Sequence, residues 1–162
     1  MGCLSSSSGI PTFPFIVVSP QTAQGTLWTD TELLVALLDE VTTRYAVDTT
    51  RVYLTGHSMG GNGTWYLAYM HPERFAAIAP MSGPANPWWA TRLRNTPVWV
   101  FHGAQDSIVP IRESEDMVRA LQKEGNQQVR FSALPDREHG LLDLYEEAGS
   151  ELYQWFGQHQ KR

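Results

Sequence analysis

The chain has 162 residues, which suits one folded domain, and an apolar fraction of 42% is enough to fill one core. Acidic side chains outnumber basic ones, 17 to 12, for a formal net charge of -5, and Lys and Arg cluster nowhere before Lys161 and Arg162. A nucleic-acid partner would need a basic face and is not expected. A single cysteine, Cys3, excludes an intrachain disulfide.

Residues 1–12 are Ser/Gly-rich and without periodicity, so they read as a flexible tail ahead of one domain over 13–162. The opening carries neither the basic segment nor the apolar stretch of a signal peptide, and no run is long enough to span a membrane. A soluble, cytoplasmic chain is the expectation. Gly2 and Ser6 fit the N-myristoylation pattern, with Cys3 placed for a second acyl group, but a plain tail fits the same residues.

Phe13-Pro14-Phe15-Ile16-Val17-Val18 is a short apolar, β-branched run that reads as a buried strand. Thr29 and Glu32 then have capping-box spacing, and Leu33, Leu34, Leu37, Leu38 and Val41 recur at helical intervals. Further strands are predicted over 51–55, 75–80, 97–102 and 129–134, and helices over 60–70, 112–124 and about 150–159. Strand and helix alternating at this spacing predict an α/β fold: a mostly parallel sheet of about five strands with helices on both faces.

Gly56-His57-Ser58-Met59-Gly60 matches G-x-S-x-G, and it follows a predicted strand and opens a predicted helix. That is the setting of a nucleophile elbow, in which a sharp turn lifts the serine hydroxyl from the sheet edge. Both glycines are expected where a Cβ would clash. A serine hydroxyl is a weak nucleophile and needs a base, and the base needs a carboxylate to fix its tautomer. The expected chain order is Ser, acid, His. Asp106 lies just beyond the fourth predicted strand and His139 beyond the fifth, where ligand sites form in open α/β sheets. Plainer readings exist for each. Ser58 in a Gly-rich turn, Asp106 capping a turn and His139 on a surface loop could all be structural, and Glu113 and Asp136 are rival acids. His102, at a strand end, reads as buried and hydrogen-bonded, while His71 and His159 read as helix-end residues.

Phe15 to Pro20, Arg51 to Gly61, His71 to Pro80 and Val98 to Asp106 with Val109-Pro110 give the chain a wider likeness. It resembles the esterase branch of the α/β-hydrolases, which includes phospholipase/carboxylesterases, dienelactone-hydrolase-like proteins and serine peptidases. The resemblance implies Ser58 as nucleophile, Asp106 as acid and His139 as base, with the Met59 N–H as one oxyanion donor. It breaks at the N-terminus, where family members carry further strands and a His-Gly loop that supplies the second donor. The expectation is that the Phe13 strand slides into the gap beside Val52–Thr55. A replacement donor would then come from the Ser19 to Gly25 loop or a neighbouring chain, and the exposed sheet edge would favour a homodimer.

A small-molecule ester, small or short-chain, is the expected substrate, because the segment after the third predicted strand is too short for a large lid. Trp28, His57, Trp88 and Trp89 are candidate walls of its site, though packing accounts for the tryptophans equally well. No metal and no cofactor are expected, since the histidines lack H-x-x-x-H spacing and no dinucleotide fingerprint is present. Peptidase or thioesterase chemistry on the same fold, or a catalytically weak binding module, are the competing readings.

Overall fold

Four short runs form one parallel sheet in a computed structural model, which describes residues 14–21, 28, 30–146 and 149–161, without the side chains of 149 and 150. The strands are β1 (Tyr53–His57), β2 (Ala77–Met81), β3 (Val98–Gly103) and β4 (Val129–Leu134). They lie side by side in chain order, and every neighbouring pair is parallel. Parallel neighbours need crossovers, and helices supply them. The helices are α1 (Thr31–Arg44), α2 (Met59–Met70), α3 (Arg112–Lys123) and α4 (Gly149–Gly157), and a 3-10 helix over Pro87–Arg92 links β2 to β3.

The period-2 alternation of strand side chains divides the core in two. Ile78, Val98 and Val100 face one way and pack with Trp65 and Ala68 of α2 and Met117 and Leu121 of α3. Ala77, Ala79, Met81, Trp99 and Phe101 face the other way and meet Leu152 and Phe156 of α4. β2 and β3 are buried along their whole length, whereas β1, at the sheet's edge, is half-buried throughout. All four strands point their C-terminal ends the same way. The loops after β1, β3 and β4 therefore converge at one edge.

Two expectations need correction. The described sheet has four strands where five were expected, because residues 14–21 form no strand. This segment lies beside β1 without joining the ladder. Phe15 packs edge-on against Tyr53 with ring centroids 5.8 Å apart, while Ile16, Val17 and Val18 stay exposed. Pro14 and Pro20 bracket the run and cannot donate to a ladder, and β-branched composition alone does not supply a partner. Val18 and Pro20 instead help wall an apolar cavity of about 130 Å³ between α1 and β1, together with Leu34, Leu38, Leu54 and Phe75. The cap of α1 also differs: Thr29 lies outside the described residues, and Asp30 caps the helix, accepting the Leu33 N–H at 3.0 Å. Among the described residues no helix is long and apolar enough to cross a membrane.

Candidate active site

The turn from β1 into α2 places Ser58 at the helix N-cap with φ 56° and ψ -115°. A positive φ is strained for a residue with a Cβ and costs on the order of 1–3 kcal/mol. The surroundings hold it there: the Ser58 N–H donates to Met81 O of β2 at 2.8 Å, and its carbonyl accepts the Asn62 N–H at 3.0 Å. Gly56 is required at this turn, since a Cβ there would lie 2.4 Å from Gly60 O. The second glycine of the motif is not under the same constraint, because a Cβ at Gly60 would meet nothing within 4 Å. What the elbow needs at position 60 is its main-chain carbonyl, packed against Gly56.

Serine is among the best N-cap residues, yet the Ser58 side chain caps nothing. Its Oγ lies 2.8 Å from His139 Nε2, and His139 Nδ1 lies 2.8 Å from Asp106 Oδ2. A carboxylate only accepts, so His139 carries its proton on Nδ1 and its Nε2 is left to accept the Ser58 O–H. The structure thus brings Ser58, His139 and Asp106 into one hydrogen-bonded chain. The rival acids lie elsewhere. Glu113 reaches the Ala85 N–H at 3.5 Å, and Asp136 is an exposed loop residue.

Asp106 is held from several sides. Its Oδ1 accepts the N–H groups of Ile108 at 2.9 Å and Val109 at 2.8 Å, and its side chain is fully buried. Burial works to raise its pKa, but the Val109 N–H, the His139 ring and the Ile108 N–H outweigh it and hold the carboxyl below its ordinary value. His102, buried as its place at a strand end suggested, braces the same loop. It donates from Nε2 to Val109 O at 2.9 Å, accepts from Ser114 Oγ on Nδ1 at 2.7 Å, and its Nε2 lies 3.2 Å from Asp106 Oδ2. The sequence signal for this link was the spacing of four residues between His102 and Asp106.

The loops after β3 and β4 are tied together. Ala104 N–H donates to Leu134 O at 2.8 Å and Gln105 N–H to Arg137 O at 2.9 Å. Gly103 permits this approach, as a Cβ there would lie 2.1 Å from Glu138 O. Met59 opens α2, so its N–H has no acceptor within the helix and lies at the positive end of the helix dipole. Of the 19–25 segment expected to provide a second donor, residues 22–25 lie outside the described residues.

The expected substrate walls are placed differently from one another. Trp28 packs on α2, where a Cβ at Gly63 would lie 2.6 Å from the Trp28 Cβ. Trp89 packs against Tyr66 and Tyr69 of α2, with centroids 5.5 and 6.2 Å away. Trp88 is 68% exposed. His57 points at the base, not into open space, and donates from Nε2 to His139 O at 2.6 Å. Among the described residues no group of His, Cys, Asp and Glu side chains is placed to hold a metal ion.

Ser82, at the end of β2, is a second non-glycine residue at positive φ, 43°. It is buried, and its Oγ has no hydrogen-bond partner. Ser82→Gly relieves the backbone, about 1–2 kcal/mol, and removes an orphan hydroxyl, about 1–3 kcal/mol, against an unfolded-state cost of about 0.5–1 kcal/mol. Urea melts are therefore expected to show a variant at least about 1 kcal/mol more stable; a lower midpoint would mean that the hydroxyl is satisfied.

The model of the Esterase family matches residues 11–139. The bifunctional acetylxylan esterase/xylanase XynS20E of Neocallimastix patriciarum is 30% identical over 141 residues, which cover 81% of this chain and 21% of that protein. A cutinase of Thermobifida fusca is 34% identical over 73 residues, covering 43% of this chain and 23% of the cutinase. Among solved structures, a thermostable esterase superposes with a TM-score of 0.69 at 29% identity, over 80% of this chain and 36% of that one. The chain thus spans well under two thirds of these proteins. The matched span contains the elbow, the acid loop and His139, and with the parallel sheet that carries them it makes this chain a member of the Esterase family on an α/β-hydrolase fold.

Proposed function

We propose that the chain is a serine carboxylesterase that cleaves small or short-chain esters through an acyl-enzyme. The observation that carries this reading is the placement of His139 at 2.8 Å from both the Ser58 hydroxyl and the Asp106 carboxylate. Ser58 Oγ attacks the ester carbonyl while His139 Nε2 takes its proton, and Asp106 stabilises the imidazolium that forms. The oxyanion develops at the head of α2, where the Met59 N–H is unspent. The imidazolium then protonates the leaving alcohol, and water, activated by the same ring, hydrolyses the acyl-enzyme and restores Ser58.

Ester chemistry is supported by membership of the Esterase family and by the acetylxylan esterase and cutinase among its relatives. Short substrates are supported by the shortness of the crossover after β2, residues 82–97 with the 3-10 helix within them. Met59, Ile108 and Leu142 are exposed apolar side chains just beyond Ser58, Asp106 and His139 in the chain, which favours an ester with an apolar portion over a charged one.

A fluorophosphonate probe is expected to label the protein once, on the peptide containing Ser58, and p-nitrophenyl acetate to be hydrolysed faster than the octanoate. Failure to label Ser58 removes the serine mechanism and leaves a binding module. Labelling combined with turnover of thioesters or peptides, but not oxygen esters, moves the assignment to those chemistries.

A further inference from the structure

Of the residues in the elbow, His57 is the one whose side chain has no place in the mechanism above. It is the last residue of β1, next to the nucleophile, yet its ring reaches across to a loop 82 positions further along the chain. Its Nε2 lies 2.6 Å from the main-chain carbonyl of His139, and the two imidazoles pack with centroids 4.9 Å apart at 53°. A carbonyl oxygen only accepts, so His57 Nε2 carries a proton.

The other restraints on the 135–141 loop come from elsewhere. Gln105, in the loop that carries Asp106, binds Arg137 O through its N–H at 2.9 Å and Pro135 O through its side chain at 3.1 Å. Arg137 reaches Gly140 O within the loop at 3.3 Å. The two Gln105 contacts orient His139 relative to the acid. Among the described residues, the nucleophile's side meets the loop through the Ser58 hydroxyl on the ring and the His57 ring on the carbonyl. The first cannot serve as a permanent tie, because that hydroxyl surrenders its proton and becomes the ester oxygen of the acyl-enzyme. The second involves no atom that reacts.

We infer that His57 is a positioning residue, which pins the main chain of His139 to the nucleophile strand so that the base stays in register while Ser58 is acylated and released. The inference rests on the ester-hydrolase reading above. On this inference His57 Nε2 is committed to the His139 carbonyl and is not offered to the substrate.

Two substitutions separate the donor from the ring. His57→Phe keeps an aromatic ring against His139 and loses the N–H. His57→Gln loses the ring but keeps an amide donor at a similar reach. With p-nitrophenyl acetate, His57→Phe is expected to lower kcat by about 10²-fold with KM changed by less than about twofold, the scale of a base displaced by a fraction of an ångström to 1 Å. His57→Gln is expected to recover most of that loss. A residue lining the substrate would move KM instead, and a merely structural one would lower the melting temperature of both variants without this split.

A second readout does not need turnover. In ¹⁵N-labelled wild type, imidazole correlation spectra are expected to show His57 as the Nε2–H tautomer and a downfield Nδ1–H for His139, and the latter resonance should broaden away in His57→Phe. Wild-type kcat in His57→Phe, no rescue by His57→Gln, or a His57 protonated on Nδ1 alone would each overturn the inference. If the wild type hydrolyses no ester, the reading of the site fails on its own, and the two resonances still decide the role of His57.

Discussion

Ser58→Ala is expected to lower kcat for p-nitrophenyl acetate by about 10⁴–10⁶-fold and to abolish fluorophosphonate labelling, with little change in KM. Alanine leaves the His139–Asp106 pair intact and the Met59 N–H in place, so the residual rate reports what binding and a single oxyanion donor achieve without a nucleophile. The same substitution should not unfold the chain. Ser58 spends its hydroxyl on His139 rather than on capping α2, so no helix stabilisation is lost with it. A variant that keeps its structure by circular dichroism and loses turnover is the expected pair of results. Turnover retained at even a tenth of wild type would dismiss Ser58 as the nucleophile.

Asp106→Asn should cost about 10⁴-fold in kcat, by a route that the hydrogen bonds dictate. Oδ1 accepts two main-chain N–H groups, from Ile108 and Val109, so the asparagine must keep its carbonyl oxygen there. Its amide nitrogen then occupies the place of Oδ2, facing His139 Nδ1 at 2.8 Å and the His102 Nε2–H at 3.2 Å. A donor facing Nδ1 forces the His139 proton onto Nε2, where it can no longer accept from Ser58. A donor facing His102 adds repulsion within the loop.

The acid also ties stability to pH. Its folded pKa lies below the unfolded one, so the folded state binds the proton less readily. The resulting stabilisation is fully present above the unfolded value of about 4 and is lost as pH falls through the lower folded value. Urea melts from about pH 6 downward should show a steeper acid loss in wild type than in Asp106→Asn. Parallel curves would mean that Asp106 is not held as an ion.

Much of this was legible because parallel sheets are buried on both faces. Val98 to Phe101 and Ala77 to Ala79 are continuous apolar runs bounded by turns, and their strand limits fell within two residues of expectation. Asp106 and His139 were legible from chain order, since each follows a strand that had to end at the serine's edge of the sheet. Phe15 to Val18 misled for the opposite reason: strand composition is local, whereas a strand needs a partner with free N–H and C=O groups in register. The need for Gly56 could be read from the motif, but the freedom at Gly60 could not, because both depend on where one carbonyl lies. The contact between His57 and His139 O left no local trace. It joins residues 82 positions apart through a main-chain atom, which any residue type would supply equally well.

The elbow has an evolutionary corollary. Ser58 sits at a positive φ that glycine would adopt without penalty, at a helix start that it does not cap. Both features lower stability, so on the proposed reading the position is maintained by selection for chemistry rather than for stability. In a lineage released from that selection, drift towards glycine or asparagine should begin at this serine, and the protein would become inert and sturdier in one step.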